Sequence, residues 1–144
     1  MQLTPFHLAI PVHDLRVAAQ FYEGVLGCER GREDTQWIDF NLFGHQLVCH
    51  EVKGFRIEAS RNPVDGHGVP VPHFGIVLEL ADWRSIRDRL QEAEVSFVIG
   101  PYIRFEGQPG EQATMFFQDP SGHSLEFKAF ANIESELFKR DDAI

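Results

Sequence analysis

Two histidines, His7 and His73, each head an otherwise apolar run, "PFHLAIPVHDL" and "PHFGIVLELADW", and they stand 66 residues apart. A third group, Glu126, interrupts the apolar run "SLEFKAF". Side chains on a strand alternate between its two faces. His7 therefore shares a face with Ala9, and His73 with Gly75 and Val77, while Leu8, Ile10 and Val12, or Phe74, Ile76 and Leu78, point the other way. Each imidazole is left among small residues, with room beside it. Glu126 shares its face with Ser124 and Lys128, and a carboxylate in a largely apolar segment is costly unless it is paired, hydrogen-bonded or bound to a cation. Two neutral imidazoles and one carboxylate suit a divalent transition metal, because they can take one side of an octahedron and leave the other for substrate, water or dioxygen. His7, His73 and Glu126 are the candidate metal ligands.

Three strands so far apart in the chain come together only if the elements around them are built alike. In the first half, Asp14 is placed to cap a helix whose apolar residues recur at Leu15, Ala18, Tyr22 and Val25, and Gly27 supplies a left-handed stop. In the second half Asp82 is the expected cap, with Trp83, Ile86, Leu90 and Ala93 as the buried stripe. Strand-like segments follow at Cys28 to Asp34, Gln36 to Phe43 and Gln46 to Val52, and again at Val95 to Phe105, Ala113 to Gln118 and Ser124 to Phe130. Both halves read β-α-β-β-β. The offsets agree in order: 66 for His7 and His73, 68 for Asp14 and Asp82, and 78 for Gly44 in "NLFGHQLV" and Gly122 in "DPSGHSLE". The jump between the last two falls near "PYIRFEGQPGEQ", a Gly- and Pro-punctuated insertion suited to substrate contacts. The expected organisation is one α+β domain over 1–144, with a first module at 4–53, a linker at 54–71, a second module at 72–130 and a charged tail at 131–144 with room for a short helix.

With 144 residues, 43% of them hydrophobic and 12% aromatic, the chain can bury the core of one ordinary domain or of two small halves. Thirteen Lys and Arg against twenty-two Asp and Glu give a net charge of −9 without a basic stripe, which argues against a nucleic-acid partner. Cys28 and Cys49 form no CxxC pair, no secretory pattern opens the sequence, and no apolar run approaches the roughly 20 residues that span a bilayer. A cytoplasmic protein with no membrane partner is expected. The other histidines divide by context. His45 and His123 follow turn glycines and are expected in solvent, His13 ends its strand beside a helix cap, and His67 lies in the linker. His50 shares a face with Gln46 and Val48 in a strand that should border the site, which makes it a functional candidate.

"FHLAIPVHDLRVAAQFYEGVLGC", "VPHFGIVLELADW" and "FFQDPSGHSLEFK" together resemble the glyoxalase, bleomycin-resistance and extradiol-dioxygenase family, also called the vicinal oxygen chelate superfamily, over about residues 4 to 130. Within it the chain looks most like the extradiol-type dioxygenase group. The resemblance implies two tandem βαβββ modules in a curved mixed sheet around a metal site, homodimers, and a small-molecule substrate chelated through vicinal oxygens. It puts His7, His73 and Glu126 on the ligand positions. Val48 stands opposite Glu126 where glyoxalase I-type relatives need an oxygen ligand, so three protein ligands are expected. Fe(II) is the expected ion for a dioxygenase, with Mn, Zn, Ni or Co as alternatives. Fosfomycin-modifying relatives commonly carry a threonine where Ala9 stands, and ring-cleaving relatives often carry a tyrosine where Phe116 stands and a histidine in the preceding loop, which "RFEGQPGEQ" lacks. Proton transfer then falls to other groups, with His50, Tyr102 and Arg104 as the catalytic candidates. Tyr102 and Arg104 share a strand face, and Arg104 could also clamp a substrate carboxylate or phosphonate, with Phe116 walling the pocket. The same family hosts transferases, lyases, isomerases and metal-free binding proteins, which are the alternative functions.

Overall fold

The computed structural model describes residues 1–58, 60–64 and 66–140. Contacts divide the chain into two compact units: Met1–Ser60 with Gln118–His123, and Arg61–Phe117 with Ser124–Ile144. In the first unit, β1 (His7–Val12) leads through α1 (Leu15–Ala19) to β2 (Glu29–Asp34), β3 (Trp37–Leu42) and β4 (His45–Glu51). These strands form a mixed sheet in the order β1-β4-β3-β2, with β1 parallel to β4 and the other neighbours antiparallel. A hairpin of β5 (Ser60–Val64) and β6 (His67–Val71) follows. The second unit then repeats the plan with β7 (His73–Glu79), α2 (Leu80–Glu92), β8 (Phe97–Arg104), β9 (Gln112–Gln118) and β10 (Ser124–Phe130), in the order β7-β10-β9-β8. The fold is α+β, built from two β-α-β-β-β repeats as expected.

The Asp14 carboxylate caps α1, accepting from the Arg16 N–H at 2.8 Å and the Val17 N–H at 3.2 Å. Beyond Ala19 the helix widens into a π-helical stretch, Gln20–Val25, in which the Leu26 N–H reaches back to the Phe21 carbonyl at 2.9 Å, and Gly27 ends it at φ 77°. The second helix departs from expectation at its start. Glu79 occupies its N-cap position without a side-chain cap bond, and Asp82 lies in the first turn, where its charge meets the positive end of the helix dipole.

One face of each sheet is sealed by its helix. Ile10, Val12, Phe40, Leu47 and Cys49 are buried with Leu15, Ala18 and Tyr22 in the first unit, as are Ile76, Leu78, Leu125 and Phe127 with Trp83, Ile86 and Leu90 in the second. Each such aliphatic or aromatic side chain taken from water is worth about 1.5–3 kcal/mol. Trp83 Nε1–H also donates to the Phe127 carbonyl at 2.8 Å, tying α2 to β10. With the helix covering that face, the opposite one carries His7, Asp39 and Gln46 on the first sheet and His73, Thr114 and Glu126 on the second.

Further contacts complete the frame. The Tyr22 hydroxyl donates to Asp119 Oδ2 at 2.8 Å, while Asp119 Oδ1 accepts the N–H groups of Ser121 and His123, each at 2.9 Å. His123, expected in solvent, is only 7% exposed: Nε2–H donates to the Pro11 carbonyl at 2.6 Å and the ring stacks on Phe55. The hairpin lies in the stretch expected as a linker, and Val69 from it packs with Ile99 and Phe116. In the tail, Asn132 caps the short α3 (Ile133–Glu136), and residues 141–144 lie outside the described residues. No helix among the described residues is long and apolar enough to cross a membrane.

Candidate metal centre

His73 opens β7 and Glu126 sits on β10, and the two strands run parallel with Gly75 as Glu126's register partner. A Cβ at Gly75 would fall 1.6 Å from the Glu126 carbonyl oxygen, so only glycine permits this approach of the strands. The side chains then meet. His73 Nε2 lies 3.1 Å from Glu126 Oε2, with the side chains 29% and 16% exposed. Their outer atoms are already engaged. His73 Nδ1 is 2.7 Å from the Pro70 carbonyl oxygen, which can only accept, so Nδ1 carries a proton. Glu126 Oε1 takes the Thr114 hydroxyl at 2.8 Å and has Lys128 Nζ at 3.9 Å. Phe116 lies edge-on to the His73 ring at 5.1 Å and 78°.

That arrangement decides what the pair can do. A neutral His73 with its proton on Nδ1 turns a lone pair toward a carboxylate oxygen, and two acceptors at this distance need something positive between them. A second proton would make the imidazolium; a metal ion would be shared by both. Metal-ligating histidines almost always donate the remote ring N–H to a carbonyl or carboxylate, and ligating carboxylates are themselves hydrogen-bonded. Pro70 and Thr114 supply those contacts here, so the donor set fits a divalent ion.

His7, at the head of β1 in the first unit, shows the same outer contact in another form. Its Nδ1 is 2.7 Å from Gln46 Oε1, and Gln46 Nε2–H donates to Asp39 Oδ2 at 3.0 Å. Asp39 is 6% exposed, and its Oδ1 has no hydrogen-bond partner among the described residues. An orphaned buried acceptor costs about 1–3 kcal/mol. Among the described residues, no three His, Cys, Asp or Glu side chains are grouped to hold a metal ion. The structure thus brings His73 and Glu126 together within the second unit and places His7 in the first.

The same face of the second sheet holds a cavity of about 220 Å³. Val69, Ile99 and Phe116 form its apolar wall, and His73, Thr114 and Glu126 its polar corner. Tyr102, stacked on His67 with ring centroids 5.6 Å apart, lines it together with Arg104 and Lys128. Tyr102, Arg104 and Phe116 thus line one cavity. His50 lies on β4 of the first unit, exposed, opposite Trp37 and Pro11. His67, Thr114, Lys128, Gln46 and Asp39 are additions that the sequence did not single out for the site.

A family model described as the Glyoxalase/Bleomycin resistance protein/Dioxygenase superfamily matches residues 4–127. The chain belongs to that superfamily. Its members are mostly enzymes acting on small molecules and typically bind divalent metals. The crystal structure of a glyoxalase/bleomycin resistance protein/dioxygenase from Alicyclobacillus acidocaldarius is 34% identical, with a TM-score of 0.72 over 90% of this chain and 93% of that one. The genomically encoded fosfomycin resistance protein FosX from Listeria monocytogenes is 17% identical with a TM-score of 0.64, over 90% and 94% of the two chains. An oxidase, ChaP-H2, is 23% identical with a TM-score of 0.61, over 90% and 94%. At those last two identities the superfamily likeness is one of fold.

Proposed function

We propose that the protein is a metal-dependent enzyme of the oxygenase type, an extradiol-type dioxygenase acting on a small catechol-like or other vicinal-oxygen substrate. His73, Glu126 and His7 would hold the divalent ion, with Fe(II) favoured over Mn, Zn, Ni or Co. One observation carries this reading: His73 Nε2 and Glu126 Oε2 face each other at 3.1 Å with their outer atoms already bonded elsewhere. Held by these residues, such an ion would supply Lewis acidity toward a substrate hydroxyl and, as iron, redox chemistry with dioxygen.

The chain's own side chains would do the rest. A ring entering the cavity meets the wall of Val69, Ile99 and Phe116, which excludes water from its faces. Arg104 and Lys128 place two positive charges in the lining, which favours a substrate bearing a carboxylate or a similar anion. Tyr102 belongs to the same lining, and its hydroxyl is the first candidate to move a proton at the substrate. His50, on the first unit's polar face, is the second. The assembly that goes with this reading is a homodimer, to which exposed Leu3, Phe6 and Phe138 offer apolar surface; sedimentation as a monomer would remove it.

Protein purified without chelators should carry about one divalent ion per chain by elemental analysis, and should consume oxygen with members of a catechol panel. His73→Ala and His7→Ala should each lose the ion with an unchanged circular dichroism spectrum. A metal-free preparation that cannot be loaded points instead to a binding protein. Loaded protein without oxygen uptake points to a transferase, lyase or isomerase of the superfamily.

A further inference from the structure

We propose that Asp39, acting through Gln46, fixes which nitrogen of His7 carries the proton and so readies Nε2 to bind a metal ion. The purpose rests on the reading of His7 as a ligand, whereas the relay can be tested without it. Asp39, Gln46 and His7 lie on β3, β4 and β1, side by side on the polar face of the first sheet. His7 and Gln46 are register partners, and Asp39 pairs with Val48, two residues along β4 from Gln46. Gln46 Nε2 is 3.0 Å from Asp39 Oδ2, and Gln46 Oε1 is 2.7 Å from His7 Nδ1.

An amide turned the other way would set its oxygen against the carboxylate, acceptor on acceptor. Asp39 therefore dictates the direction of the Gln46 side chain. The amide oxygen that then faces His7 can only accept, so Nδ1 must hold the proton and Nε2 presents a lone pair. Without that constraint, Gln46 could offer its NH2 group to His7 and select the opposite tautomer, which has no free Nε2.

Asp39 is built into this place. Its Oδ1 is buried without a partner among the described residues, closed off by Gly31, where an added Cβ would come within 2.5 Å of that oxygen. Gly31 lies in the register irregularity between β2 and β3, so the bulge provides the space the carboxylate needs. Only Oδ2 is left to act, and besides Gln46 it meets Arg32 at 3.8 Å, whose side chain is 80% exposed. The second unit reaches the same tautomer by a direct route, since His73 Nδ1 donates to the Pro70 carbonyl at 2.7 Å. Two unrelated sets of contacts thus put a proton on Nδ1 of both candidate ligands, so that each neutral ring presents its lone pair at Nε2.

The tautomer can be read in metal-free protein from long-range 1H–15N correlation spectra of histidine-labelled samples, at a pH where the rings are neutral. The wild-type His7 pattern should be that of Nδ1–H. Asp39→Leu removes the directing acceptor and should move His7 toward the Nε2–H form while His73 stays as it was. Adding Gln46→Glu to Asp39→Leu sets an acceptor-only group against Nδ1 and should restore the first pattern, an outcome that a merely structural role for Asp39 does not produce. Zn(II) affinity should fall about 10- to 100-fold in Asp39→Leu and recover in the double variant. If Asp39→Leu does not fold, Gly31→Ala, whose new Cβ displaces the carboxylate, should give the same shift of the His7 signals. An unchanged His7 tautomer in whichever variant folds, or no return in the double variant, overturns the proposal. A tautomer that shifts while Zn(II) affinity holds would uphold the relay and strike His7 from the ligand set.

Discussion

Thr114 contributes a single hydroxyl, and its removal isolates what an outer contact does for the site. Thr114→Val keeps the shape and deletes the donor to Glu126 Oε1, which leaves the carboxylate free to turn away from His73. We expect divalent-metal affinity to fall about 10- to 100-fold, with a stability loss of only about 0.5–1.5 kcal/mol; a metal titration beside a urea melt separates the two. The contrast between Thr114 and His73 also shows what could be seen in the chain beforehand. His7, His73 and Glu126 stand out because a polar group breaks an apolar strand at positions the internal repeat relates, or at one that alternation places on the open face. Thr114, Gln46 and Asp39 carry no such mark. Their roles depend on which residues lie opposite one another on neighbouring strands, and Asp39 meets Gln46 only because β3 and β4 pair Asp39 with Val48 and not with another residue. Composition and periodicity do not determine that register.

At the level of elements, the tightest constraint is the contact between β7 and β10. Gly75→Ala would drive a methyl group into the Glu126 backbone, and the strands would have to part where the His73 and Glu126 side chains meet. We expect a loss of about 1–3 kcal/mol in chemical denaturation, together with loss of metal binding; a variant that keeps wild-type metal affinity would show that the pair tolerates separation. The order of strands and helices was legible because each module alternates a period-two strand with a period-3.6 helix. The hairpin was not, since Pro63 and Pro70 interrupt β5 and β6 and argue against strands when only one chain is considered. Asp82 misled for a related reason: an acidic residue in the first turn of a helix has the same appearance as a cap three residues later than the true one. His123 misled because a residue after a turn glycine is usually wet, whereas Asp119 folds this turn inward.

Across the whole molecule, both cysteines report on one core. Cys28 is 7% exposed and Cys49 fully buried, and burial pushes the Cys49 thiol well above its ordinary range, with Asp119 adding to the effect. A thiol reagent should therefore label the native protein only as fast as the first unit unfolds, and equally slowly at pH 8 and pH 9. Prompt labelling of Cys49 in the native state would mean that this core opens locally.

The segment Gln118–His123 belongs with the first unit, although β9 before it and β10 after it build the second sheet. The chain accordingly changes allegiance after Ser60, after Phe117 and after His123. A duplicated module that lends a turn back to its twin can no longer be excised as a cassette. A fragment ending at Ser60 would leave the Tyr22 hydroxyl without Asp119 and the His13 N–H without Ser121, so any split or permuted version must keep residues 118–123 with the first sixty. Recombination at the boundary of the repeat would sever that loan, which binds the two copies into a single heritable unit.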